Sequence, residues 1–165
     1  MKRLIGFLVF ISILFAPVPA SAVSDWDPDD VDGPLDIRWI GATFLPNDHF
    51  KLTVSFHNDF RASALPRRIT FHHGVVVNLT DFMQGLFRHR RDGRIVFIYG
   101  DFASNCCYVA RVARPSPNLL KVIDPTVHDP ADLTYRIRAT STWYDDDNHH
   151  VRDHTGWLNL GAPPV

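Results

Sequence analysis

Between residues 25 and 36 the chain reads Asp25-Trp26-Asp27-Pro28-Asp29-Asp30-Val31-Asp32-Gly33-Pro34-Leu35-Asp36, with five aspartates in the first eight positions. Carboxylates crowded this closely repel one another unless a cation compensates them. Calcium, which takes six to eight hard oxygen ligands, is the ion such a set would hold. Counted from Asp25, the residues Asp25, Asp27, Asp29 and Asp36 fall at the first, third, fifth and twelfth places of an EF-hand loop. Asp30 stands where that loop demands glycine, Asp36 replaces its bidentate glutamate, and strand-like residues follow, so the EF-hand reading fails. A calcium site of another geometry on Asp27, Asp29, Asp30 and Asp36 is the expectation that survives. Its competitor is a solvated acidic leader at a frayed N-terminus.

A second concentration lies at Asp145-Asp146-Asp147-Asn148-His149-His150-Val151-Arg152-Asp153-His154. Imidazole suits zinc, copper or nickel, and carboxylate completes such a shell, which makes Asp147, His149, His150 and His154 alternative ligands for a transition metal. The spacing HHxxxH lacks the helix and the glutamate of HExxH. A polar surface loop explains the same residues without an ion. His72-His73, placed in a strand, would point to opposite faces and serve structure. Cys106-Cys107 sits closer than ordinary disulfide geometry allows, so free thiols or an intermolecular bridge compete with a strained vicinal disulfide.

Arg88, Arg90, Arg91 and Arg94 surround Asp92-Gly93 and make a basic hairpin tip. It is either a solvated turn or a patch whose planar guanidinium groups grip an anionic polymer of the cell envelope. Trp26, Trp39, Trp143, Tyr144 and Trp157 offer stacking surfaces for sugars, or simply core packing. No GxSxG, SxxK, P-loop or HExxH is present. The chain therefore leans away from an enzyme and towards a non-catalytic binding module, plausible as a calcium-stabilised one, for carbohydrate or anionic envelope polymer. The alternatives are a transition-metal carrier or small hydrolase built on residues 145–154, and a structural or protein-interaction domain with no ion.

The run D-x-D-D-x-x-G-x-L-D-I, carried by Asp27, Asp29, Asp30, Gly33, Leu35, Asp36 and Ile37, resembles the opening of a loose group of small secreted bacterial β-sandwich proteins of mostly unknown function. The resemblance covers about fifteen residues. It implies export and a β-rich fold, and no activity.

These residues must be positioned by a small exported domain. Lys2 and Arg3, the apolar run Leu4 to Phe15 and the small residues Ala20-Ser21-Ala22 compose a Sec-type signal peptide, with cleavage expected after Ala22 and secretion as the consequence. That apolar run is well short of the roughly 20 residues a spanning helix needs and no second one follows, so no membrane span is expected in the mature chain. Seventeen basic residues face eighteen acidic ones, a balance that argues against nucleic acid as a partner. The eighteen acidic residues are all aspartate, a turn former poorly suited to helices, and this points to loops and strands.

Alternation places Leu52, Val54 and Phe56 on one face of a strand. It does the same for Leu133, Tyr135, Ile137, Ala139, Ser141 and Trp143 along a longer one. Ile95 to Tyr99 reads as a strand covered on both faces, paired through Asp92-Gly93 with Leu86 to Arg90. Further strands are expected at Leu35 to Phe44, Ile69 to Asn78, Cys106 to Ala113 and Leu119 to Ile123. The expectation is an all-β, antiparallel, jelly-roll-like β-sandwich of about eight strands, with at most one short helix near Thr80 to Phe87. The division is residues 1–22 as signal, 23–34 as an acidic leader and 35–165 as one domain. Oligomeric state is left open by the sequence.

Overall fold

The computed structural model describes residues 22–45, 49–70, 72–79, 83–101, 107–123 and 135–161. The segment expected to be a signal lies outside them apart from Ala22, as do Cys106, Thr80 to Phe82 and the turn Pro46-Asn47-Asp48. Among the described residues there is no helix long and apolar enough to cross a membrane.

The fold is all-β and antiparallel. Its strands are β1 (Ala22–Trp26), β2 (Ile37–Leu45), β3 (His49–Phe56), β4 (Gly74–Asn78), β5 (Gln84–His89), β6 (Ile95–Gly100), β7 (Tyr108–Ser116), β8 (Leu119–Ile123), β9 (Tyr135–Tyr144), β10 (His150–His154) and β11 (Leu158–Gly161). They form one hydrogen-bonded sheet in the order β1-β2-β3-β8-β7-β6-β5-β4-β9-β10, with β11 also on β9. The consecutive meander β4 to β8 is thus inserted between β3 and β9. A 3-10 turn at Ala62–Ala64 lies in the β3–β4 connection.

The eight strands expected from alternation correspond to β2 through β9. The helix expected near Thr80 to Phe87 is replaced, over its described part, by β5. There Gly85 lets the Phe97 ring lie where a β-carbon would come within 2.0 Å of it, an approach that suits a sheet interior. His72-His73 precedes β4 rather than lying inside it: the strand begins at Gly74, whose φ of +98° and close packing on Pro66 turn the chain into the sheet.

Sequence alternation becomes a continuous interior row. Phe97 faces Phe87, Phe87 faces Val75, Val75 faces Ser141, and Ser141 faces Asp153 across successive ladders. A parallel row runs from Ile40 through Val54 to Leu120. Leu52, Val54, Phe56, Ile137, Ala139 and Trp143 are all buried in this core, and the removal of their apolar surface from water is its main stabilising contribution. The hairpin tip closes as its residues dictate: Gly93 donates its N–H to Arg90 at 3.0 Å with φ +81°, while Arg90 N–H reaches the Arg94 carbonyl at 2.8 Å.

Because the sheet curls, its two ends meet. β1–β2 comes against β9–β11, and among the described residues side chains rather than a backbone ladder bridge them. The Trp143 indole lies against Gly33, where an added β-carbon would sit 2.3 Å from the ring. That approach explains a glycine at this place in the acidic segment.

Candidate metal centre

Residues 27–36 cross the end of the interior at this seam and are pinned from both sides. Asp27 donates its N–H to the Arg38 carbonyl at 3.0 Å, and His57 N–H reaches the Asp36 carbonyl at 2.9 Å. Asn58 Nδ2 donates to the Gly33 carbonyl at 3.0 Å. His57 Nε2 lies 3.1 Å from the Asp27 carbonyl, so its proton sits on that nitrogen if it donates. The acidic segment is therefore held by backbone and side-chain hydrogen bonds rather than left as a free leader.

At the centre is Asp36, which exposes 0 % of its surface. Neither of its carboxylate oxygens accepts a hydrogen bond from an N–H or hydroxyl donor, and its one side-chain partner is another carboxylate, Asp29, reached through a shared proton. One oxygen each of Asp30, Asp36 and Asp153 lie within 4.8 Å of one another. Oxygens sharing a calcium ion at about 2.3–2.6 Å from it fall within that separation. Asp153, buried on β10, accepts the Ile37 N–H at 2.7 Å through Oδ2, which fixes its carboxylate across the seam, and it also shares a hydrogen bond with Asp27. Asp27 adjoins Asp153 and also has a buried oxygen with no donor, Oδ2.

The cost of this crowd shows in its protonation. Burial first, and then the charge of Asp153, push Asp36 up to about 7 from 3.8. Asp27 is pushed up to about 7 by burial, by the charge of Asp153 and by a carboxyl–carboxylate hydrogen bond with it, with Asp30 and Asp36 adding repulsion. Buried carboxylates without donors are rare because a desolvated charge needs a counter-charge. Protonation removes the charge outright, and a divalent cation held by the same oxygens would balance it.

The structure gathers three of the four expected calcium residues, Asp27, Asp30 and Asp36, around the new member Asp153. Asp29 is exposed, with its Oδ2 3.9 Å from His57 Nδ1, and it still raises Asp36 by proximity. Asp153 was hidden because it belongs to the stretch read as a histidine loop. Its signal was alternation: in His150-Val151-Arg152-Asp153-His154 the aspartate shares a face with Val151, which packs on the core.

That histidine stretch divides into a tight turn and strand β10. Asp145 accepts the His149 N–H at 2.7 Å, which holds its carboxyl below the usual range, and lies 3.2 Å from His149 Nδ1. Asn148 takes φ +63° to complete the turn. His150 Nε2 is 3.1 Å from the His72 carbonyl, and its ring meets Tyr144 edge-on at 5.4 Å. His154 faces solvent and Asp147 lies exposed in the turn. Among the described residues, Asp147, His149, His150 and His154 do not form a metal-ligating group. Cys107 is a free, exposed thiol.

The arginines of the expected basic patch lie on the β5–β6 hairpin. Arg90 and Arg91 are exposed, Arg94 Nε donates to Asp92 Oδ2 at 2.7 Å, and Arg88 is half-buried with an unpartnered Nε. Of the aromatic residues, Trp143 is core, whereas Trp26 and Trp157 are exposed under guanidinium groups, Arg38 over the first at 5.5 Å and Arg136 over the second at 5.3 Å. No known protein family, curated protein or solved structure matches the chain.

Proposed function

We propose that this chain is an exported, non-catalytic β-domain whose curled sheet is tied at its seam by calcium, held by Asp30, Asp36 and Asp153 with Asp27 alongside. The observation that carries this reading is Asp36, a fully buried carboxylate with no hydrogen-bond donor, facing Asp153 from the opposite end of the sheet. An oxygen-only donor set favours a hard cation over zinc or copper. The acidic segment supplies three of these carboxylates and β10 supplies the fourth, so the ion joins the first strands to the last ones. Its role is to stabilise a binding module. Export rests on the composition of residues 1–22, and kinship with the small secreted β-proteins rests on the Asp27 to Ile37 run.

Thermal melts test the proposal at slightly alkaline pH. Calcium at a hundred times its dissociation constant should add about 2.7 kcal/mol over the chelated protein, which for a domain of this size raises the melting temperature by roughly 5–10 °C. Equal melting temperatures with calcium and with chelator would remove calcium from the account.

A further inference from the structure

A second site is carried by observations independent of the seam. The ladder between β6 and β7 stops at the pair Val96 and Arg111. Beyond it the hairpin tip and β7 border a cleft of about 640 Å³. Arg90, Arg94, Arg111 and Arg114 line it, over apolar surface that includes Val96 and Val112, and no acidic residue is among its lining. Asp92 balances Arg94 and lies near Arg90, so the cleft keeps an excess of positive charge on Arg111 and Arg114 that an anion would offset.

Two of the four are held in place. Arg114 donates to the carbonyls of Phe60 and Pro117 and lies 4.4 Å over the Phe60 ring. Arg94 is fixed by its ion pair with Asp92. Arg90 and Arg111 are exposed and, among the described residues, have no ion-pair partner, so they are available to close on a ligand. Guanidinium forks match the oxygens of phosphate in pairs.

We infer that this cleft binds a soluble linear chain of phosphate groups, with Arg94 and Arg114 as fixed anchors and Arg90 and Arg111 as closing arms. Successive phosphates present acceptor oxygens and charge at a density that suits four arginines, which a single carboxylate does not. No aromatic ring lines the cleft, so nucleic-acid bases would find nothing to stack on.

Inorganic tripolyphosphate is the probe, titrated calorimetrically at low and at high salt into metal-free protein at about pH 6, because tripolyphosphate would itself chelate calcium. One site per chain is expected, weakening about tenfold or more as salt rises, with orthophosphate binding less tightly. Arg90→Ala combined with Arg111→Ala should weaken binding at least about tenfold while leaving the melting temperature unchanged, because both side chains are exposed. Asp153→Asn, which strikes the seam, should bind tripolyphosphate as the wild type does when assayed below its own melting temperature. No binding at millimolar tripolyphosphate, or equal affinity in the double arginine variant, overturns the inference. So does capture by phosphatidic acid vesicles without affinity for tripolyphosphate, which would make the surface a membrane contact.

Discussion

Stripped of divalent ions by a chelator, the protein should lose stability as the pH rises from about 5 to 8, the reverse of the usual behaviour of carboxylates paired with bases. Asp27 and Asp36 are pushed up to about 7 in the fold, whereas in the unfolded chain they titrate near 4. Between those values the folded state retains protons that the unfolded state releases. The stability contributed by the protonated groups is complete below about pH 4 and disappears as pH climbs through about 7. Facing Asp36 are Asp153 and Asp29, which oppose its ionisation, His57, which favours it, Asp30, with an oxygen within 4.8 Å, and Asp27, on which Asp36 itself acts. For Asp36, which is fully buried, the loss is on the order of 2–4 kcal/mol, and the adjoining Asp27 titrates jointly with it. Chemical denaturation in chelator across this range measures it directly. With saturating calcium the slope should invert, because the ion binds the deprotonated carboxylates. A flat or rising chelated profile would mean that the seam carboxylates are neutralised by something other than protons or metal.

Asp36→Asn should have the second large effect, and its direction separates a metal site from ordinary structural burial. The amide is nearly isosteric, carries no charge and brings an N–H₂ donor to the carboxylates of Asp30 and Asp153. In chelator at pH 8 the variant should therefore exceed the wild type by about 2–4 kcal/mol. It should also lose most of the pH slope and gain nothing from calcium. Asp32→Asn, an exposed neighbour in the same segment, should behave as wild type in every respect. If Asp36→Asn is destabilised in chelator and still responds to calcium, the carboxylate acts through contacts other than a bound cation.

Much of this arrangement was legible in the residues, and the boundary of legibility has a physical cause. β3 and β9 announce themselves through period-two alternation, as in Leu52, Val54 and Phe56 or Ile137, Ala139 and Trp143, because one face of each enters the core, while β6 is legible as a continuous apolar run and β5 through the Asp92-Gly93 turn. β1, β10 and β11 carry Asp25, Asp153 or short interrupted runs. Composition assigns such residues to loops, yet pairing with β2 and β9 overrides that preference. The crowding of Asp27, Asp30 and Asp36 is visible because they are neighbours in sequence. Asp153 is invisible as their partner because it contacts Ile37 across 116 positions, and only the curl of the sheet brings it there. The alternating geometry of β10 sends Asp153 inward and His150 and His154 outward.

Asp153 is thus the proposed ligand whose contribution depends on the fold rather than on the acidic segment alone. Calorimetric titration of calcium into metal-free protein at slightly alkaline pH, run in parallel on the wild type and on Asp153→Asn, tests the clasp most directly. One calcium per chain should bind the wild type, with affinity falling by an order of magnitude or more in the variant. Absence of calcium binding to the wild type at millimolar concentration, or undiminished binding to Asp153→Asn, would contradict a cation joining the two ends of the sheet.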